Sequence, residues 1–280
     1  NDFINGKFQL NLFPSSRFPF SFFTSRSQSS EYDEIFDRVT TDTTTRISQQ
    51  YDSVSKQESY SASFQRNKRD DYIQESYISD KLDLSVRKRM EDHNLIGVAD
   101  YSNITAPGQA EATNYSVTAN HSYSGTENLS LHNFASATQA HNDFNASTSE
   151  TAAQQFSSNL SWRPEHNSPL SISGNFLIAN NSQTVTQKSI GSKAEFITQD
   201  DRPLINLNQG LIYTYSPQVT ISPSANISKS TVGDVDQINA SESGRISYSS
   251  KSIKTSVGPY NWNASSSISN THSNSSNSTT

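Results

Sequence analysis

The chain of 280 residues has no cysteine, one methionine and two tryptophans. The missing cysteine excludes a disulfide scaffold and any thiolate metal site. Apolar residues make up only 31% of the chain, against roughly half in an ordinary globular domain. A dry core of the usual kind is therefore out of reach. No stretch approaches the roughly 18 uncharged apolar residues that a transmembrane helix needs. Neither sign of charge dominates: the net charge is -6, which offers nucleic acid no basic footprint. No HExxH, P-loop, dinucleotide fingerprint or nucleophile elbow occurs. The chain reads as a non-enzyme with no cofactor.

What is present is alternation. From Leu211 the apolar positions run Leu211, Tyr213, Tyr215, Pro217, Val219, Ile221, Ala225 and Ile227. Leu170, Ile172, Gly174, Phe176 and Ile178 repeat the pattern, as do Tyr115, Val117, Ala119, His121 and Tyr123. Successive side chains of a strand point to opposite faces, so each segment has one apolar and one polar face. Disordered chains are poor in aromatics, whereas 14 Phe and 12 Tyr are present here, in phase with the alternation. Strands are expected at 8–12, 18–22, 60–64, 82–86, 95–102, 114–123, 128–137, 155–162, 169–179, 188–197, 205–215, 218–229 and 243–252. Turns are expected at 67–71, 124–127, 163–169, 179–183, 199–203 and 232–237, where Ser, Gly, Asn, Asp and Pro gather. Residues 31–56 are ambiguous: Tyr32, Ile35, Phe36 and Val39 fit a helical face, but the Thr-rich run from Thr40 favours strand or loop.

The fold class is all-β, an antiparallel up-and-down meander. A soluble sandwich would need large inward residues, yet the apolar phase carries Asn133, Ala135 and Ala137 after Leu129 and Leu131. A barrel with a wet lumen needs no dry core, and closure hides sheet edges. A transmembrane β-barrel of about 14–16 strands, or part of a larger barrel, is the expectation. By this alternation, residues 56–268 resemble Gram-negative outer-membrane β-barrel proteins of the porin-like class. The stretch from Leu12-Phe13-Pro14 to Arg26, with Phe18-Pro19-Phe20 inside it, resembles a segment of large envelope barrels. That class usually ends in a strand with a terminal aromatic, and this chain ends Ser278-Thr279-Thr280. With Asn1 rather than Met at its start, the sequence reads as a processed chain or a fragment. The division is 1–55, N-terminal strands and a charged segment; 56–268, the meander; and 269–280, a Ser/Asn-rich tail.

The resemblance implies the bacterial outer membrane and a passive pore, or a scaffold seating a protein partner in its lumen. Lipid and lipopolysaccharide are then partners too. The alternative is an extracellular Ser/Thr/Asn-rich β-protein such as an adhesin passenger, fibre or surface-layer component. Tyr115, Tyr123, Trp162, Tyr213, Tyr215 and Trp262 suit an interfacial aromatic girdle. Arg66, Lys68 and Arg69, with Arg87, Lys88 and Arg89, would meet phosphates or an acidic partner if they share a rim. His121 and His132 are expected near one another across the 124–127 hairpin, though polar-face positions explain them without a metal. Asp200, Asp201 and Arg202 read as a charged turn, lacking the oxygens of a calcium loop. Asn-x-Ser/Thr at Asn103, Asn120, Asn159 and Asn226 reflects composition rather than glycosylation. Ile172 and Val117 should face lipid, Ser173 and Thr118 the lumen.

Overall fold

The computed structural model describes every residue except 1–4, 33–36, 72–75, 107–109, 127, 145–146, 166–167, 189–194, 233–234, 256–257 and 278–280. The strands are β1 (Gly6–Leu12), β2 (Phe20–Tyr32), β3 (Asp37–Asp52), β4 (Glu58–Asp71), β5 (Tyr77–Arg89), β6 (His93–Ala106), β7 (Ala110–Thr126) and β8 (Leu129–Phe144). They continue as β9 (Ser147–Trp162), β10 (Leu170–Lys188), β11 (Glu195–Ser216), β12 (Val219–Val232), β13 (Val235–Ser249), β14 (Ile253–Thr255), β15 (Gly258–Tyr260) and β16 (Asn263–Asn277). Fourteen of them form one sheet in sequence order, with β16 beside β13; β14 and β15 make a small hairpin between those two. All pairings are antiparallel, so the expected meander is what the chain forms.

Five readings of the sequence are corrected. Residues 67–71 do not turn: Arg69 stays paired with Tyr77 and with Asp42. Residues 179–183 and 199–203 are not turns either, but face each other in the longest hairpin, Ala179 opposite Leu204 and Gln183 opposite Asp200. In each case a charged or amide-rich stretch finds cross-strand partners, and the backbone ladder needs no apolar side chain. The expected strand 188–197 is divided between the ends of β10 and β11, and its centre falls outside the described residues. Residues 269–277, read as a tail, lie in β16, with Thr271 opposite Ser241. The ambiguous segment resolves as β3 from Asp37 onward; Ile35 and Phe36 fall outside the described residues.

Register gives the sheet its slant. One row of directly paired residues runs Tyr60, Val86, Gly97, Ala119, Ala135, Phe156, Ile178, Ile205, Lys229. Tyr60 lies two places from the start of β4 at Glu58; Lys229 lies ten places from the start of β12 at Val219. Both strands start at the same end of the sheet. The row thus climbs roughly one residue per strand, and with about 3.3 Å per residue against about 4.8 Å between strands the strands tilt by about 35°. That is the tilt a closed barrel requires.

The same register sorts most side chains: along the row Tyr60, Val86, Phe156, Ile178 and Ile205 fall on one face, and the other face is mainly Ser, Thr, Asn and Gln, with Val98, Phe134, Leu177, Leu204 and Ile212 among them. A one-residue slip would mix the two sets. Neither face is covered. Among the described residues none is buried, and the chain exposes 19579 Å². A compact chain of this mass would expose about 12,000 Å². In β12 the apolar residues Ile221, Pro223, Ala225 and Ile227 are exposed, while Ser222, Asn226 and Ser228 on the other face are half-buried. The more exposed face is the apolar one, the reverse of a water-soluble sheet.

Candidate functional site: two faces of one sheet

The apolar face carries a band of constant height. It spans Tyr115 to Tyr123 in β7, Leu129 to Ala137 in β8, Leu170 to Ile178 in β10 and Val219 to Ile227 in β12. Each covers eight residue steps, about 26 Å along the strand and about 22 Å after a 35° tilt. The band begins at the end bearing the described turn residues 53–57, 90–92, 163–165, 168–169 and 217–218. Beyond it the strands continue into polar hairpins. Lys229 ends the row above because the band follows the turns rather than the rows, as tilted strands in a flat layer demand.

Aromatics mark both edges of this band. Tyr123 packs in a tilted arrangement against His93 at 4.7 Å and Trp162 sits opposite Leu129 and Ile172 at the turn-side edge. Tyr213 lies opposite Leu170, and Trp262 rests on Tyr248 at 4.8 Å. Tyr51 and Tyr60, at 5.8 Å, extend the same edge. Tyr115 marks the far edge instead, 5.1 Å from Tyr101. Tyr215 lies beside a register shift between Thr214 and Ser216 and is 72% exposed. At Gly125 the Tyr123 ring lies where a Cβ would stand, so a larger residue there would displace that ring.

The band is breached on β11, β13 and β16. Gln209, Ala225, Glu242 and Asn270 form one row across it, over a recess of about 510 Å³ where Gly244 and Pro223 leave room. The breach was missed because Glu242 is a single residue in an otherwise regular Ser-rich strand.

The two basic clusters do not share a rim. Arg69 sits opposite Tyr77 and Arg87 opposite Ser59, at opposite ends of the β4–β5 pair. Most members are also matched: Arg66 with Asp80 at 2.7 Å, Lys68 with Asp70 at 2.8 Å, Arg69 with Asp42 at 2.6 Å and Lys88 with Glu58 at 2.8 Å. Alternating signs along neighbouring strands cancel the cluster that the linear sequence suggested. Arg87 and Arg89 lie on the polar face. Likewise His121 and His132 lie on opposite faces, being an odd number of positions apart around a shifted hairpin. The partner of His121 is His93, with Nδ1 of His93 and Nε2 of His121 2.9 Å apart and Asn133 Nδ2 3.1 Å from Nδ1 of His121. Among the described residues no group of three metal-ligating side chains occurs. Asp200 and Arg202 pair with each other at 2.6 Å on the outer hairpin. At the tip of the β12–β13 hairpin, the Thr231 hydroxyl at 2.6 Å and the Lys229 ammonium at 3.0 Å hold the Asp236 carboxyl below the usual carboxylate range.

The polar face divides into two sectors. On β3 to β6 it is charged, with Asp42, Arg46, Asp52, Arg69, Asp71, Lys81, Asp83, Arg87, Arg89 and Asp100. There Ser63 donates to Asp83 and Ser116 to Asp100, at 3.0 and 3.1 Å. From β7 to β16 the described residues of this face are mainly Ser, Thr, Asn and Gln, with Phe134, Leu177, Leu204 and Ile212 among them. The charges among them are Arg245 and the mutually paired Asp200 and Arg202. A row of paired residues crosses this sector: Ser122, His132, Asn159, Asn175, Asn208, Asn226, Ser241 and Thr271.

No protein-family model matches the chain, and no curated protein matches it. Two solved structures resemble it in fold. One is the siderophore receptor PirA from Pseudomonas aeruginosa, 14% identical, with 88% of this chain and 49% of that one covered and a TM-score of 0.48. Another is the ferric yersiniabactin uptake receptor FyuA from Yersinia pestis, 11% identical, with 98% and 60% covered and a TM-score of 0.34. The chain thus spans about half the length of the first and three-fifths of the second.

Proposed function

We propose that the fourteen strands form the wall of a membrane-spanning β-barrel of the bacterial outer-membrane type. Its role is that of a passive pore, or of a scaffold that seats a partner. The observation that carries this reading is the uncovered apolar face, set on the more exposed side of a sheet tilted by about 35°. Water would not tolerate that surface, whereas lipid requires it. The band of about 22 Å is close to the roughly 25 Å apolar belt of such barrels, and aromatic girdles flank that belt. Tyr123, Trp162, Tyr213 and Trp262 supply one girdle and Tyr101 with Tyr115 the other. Short turns face the periplasm in this architecture, so the polar hairpins, including β10–β11, would project outward toward lipopolysaccharide.

Closing β1 on β16 would give a ring of about 26 Å across the backbone, from fourteen strands about 4.8 Å apart. Further strands between those edges would widen it. Such a lumen passes small polar solutes unless something fills it. Reconstitution into planar bilayers tests the reading: an open pore gives discrete conductance steps. A filled barrel gives heat-modifiable gel mobility and membrane fractionation without steps. A stable, monodisperse form without detergent, found in the medium rather than the membrane, would sink the proposal in favour of a surface fibre.

A further inference from the structure

We infer that the uncharged sector of the polar face is a binding track for a neutral, extended oligosaccharide; its placement in a lumen rests on the barrel proposed above. The argument begins with what the sector excludes. Charged side chains of both signs crowd the polar face of β3 to β6, yet the row from Ser122 to Thr271 has none. A permanently charged ligand would find no counter-ion along that row.

What the row offers is paired donor and acceptor groups. Asn175 donates to Asn159, Asn226 to Asn208 and Asn206, and Asn208 to Asn206 at 2.6 Å. A side-chain amide can make about four hydrogen bonds. These asparagines spend one or two each on one another, which fixes their orientation and leaves the rest for a ligand. A hydroxyl is likewise donor and acceptor together, so amides and sugar hydroxyls satisfy each other without charge. The amides recur once per strand, about 4.8 Å apart, close to the advance of one pyranose along an extended glycan.

Two recesses place the track. One of about 450 Å³ is lined by Asn159, Asn175, Asn208, Asn226 and Ser241. The next, of about 270 Å³, shares Asn159 and adds His132 and Phe134. Phe134 gives an apolar ring at one end, the element on which a sugar face stacks. An extended peptide could also use amides, but it would prefer an open strand edge to a row crossing the strands.

The test uses the full chain in detergent micelles and saturation-transfer NMR with a linear glucose hexamer. Polyethylene glycol of matched length and a Gly-Ser hexapeptide serve as comparators. The hexamer should receive saturation and the comparators should not. The pair Asn175→Leu and Asn208→Leu, which removes two amides at similar volume, should weaken binding about tenfold or more, as two lost hydrogen bonds imply. Ser61→Leu with Ser63→Leu, in the charged sector, should leave it unchanged. Should the leucine pair misfold, Asn175→Ser with Asn208→Ser must weaken binding in the same direction. No saturation of the hexamer, equal saturation of the glycol, or preference for the peptide would each overturn the inference. Insertion into vesicles is measured alongside. Binding without insertion overturns the barrel and leaves the track, whereas insertion without binding overturns the track alone.

Discussion

Placing an arginine at successive positions of β7 should separate the two faces quantitatively. Ala119 is the midpoint of the band between Tyr115 and Tyr123. Its cross-strand neighbours are Gly97 and Ala135, so a long side chain there meets little steric resistance. The cost of Ala119→Arg is then mainly that of bringing a guanidinium into hydrocarbon, about 2–4 kcal/mol at the midplane and about 0–1 near the interfaces. That corresponds to roughly 30-fold to roughly 900-fold in the folding equilibrium. Val117, about 5 Å off the midplane by rise and tilt, should cost somewhat less, and Tyr115→Arg least. Thr118→Arg, on the polar face between Val98 and Ser136, should cost under about 1 kcal/mol. Equilibrium unfolding from phospholipid vesicles measures the series. A cost peaked at residue 119 and absent at 118 is the expected profile. Equal tolerance at both would refute the lipid assignment, and equal failure at both would indicate a sheet covered on two faces.

Three further outcomes follow from particular contacts. Glu242→Leu removes the carboxylate from the breached band and should stabilise the vesicle-bound protein by about 1 kcal/mol; destabilisation in the same unfolding assay would mean that the recess beside it has an occupant. Gly97→Ala would bring a Cβ to 2.9 Å from Val86 Cγ1, costing about 1–2 kcal/mol by overpacking. Adding Val86→Ala should recover part of that loss, and a double-mutant cycle with no coupling would contradict the register. The depressed Asp236 carboxyl stabilises its hairpin above the ordinary aspartate pKa of about 3.9, and this is lost as pH falls through the lower folded value. Amide exchange at the β12–β13 tip should accelerate below about pH 4, and Asp236→Asn should abolish that dependence; an unchanged profile would show the contacts to be inconsequential.

Period-two spacing made the strands legible because register and face are both set by parity. Ile172 and Val117 announced that they share a face, opposite Ser173 and Thr118, before any pairing was known. Strand ends were less legible. Asn67 to Asp71 and Gln199 to Pro203 carry turn chemistry, but Arg69 pairs with Asp42 across the ladder and residues 199–203 are fixed by their opposite strand. Turn propensity is local, and strand extension is decided by the neighbour. The basic rim failed for a related reason: two clusters adjacent in sequence sit at opposite ends once the chain reverses. The His93–His121 contact and the row of four asparagines were not legible at all: the first depends on the register of the β6–β7 hairpin, the second on the accumulated register of several hairpins. The slant of the sheet was hidden for the same reason.

Nitroxide labels placed one at a time from residue 115 to 123, and from 219 to 227, in vesicle-reconstituted protein test the central claim most directly. Collision with oxygen, which concentrates in lipid, is compared with collision with a water-soluble nickel chelate. The account predicts strict alternation: odd positions accessible to oxygen, most strongly near residues 119 and 223, and even positions accessible to the chelate. Labels that show no alternation, or that meet the chelate equally at odd and even positions, would contradict a sheet with lipid on one face and water on the other.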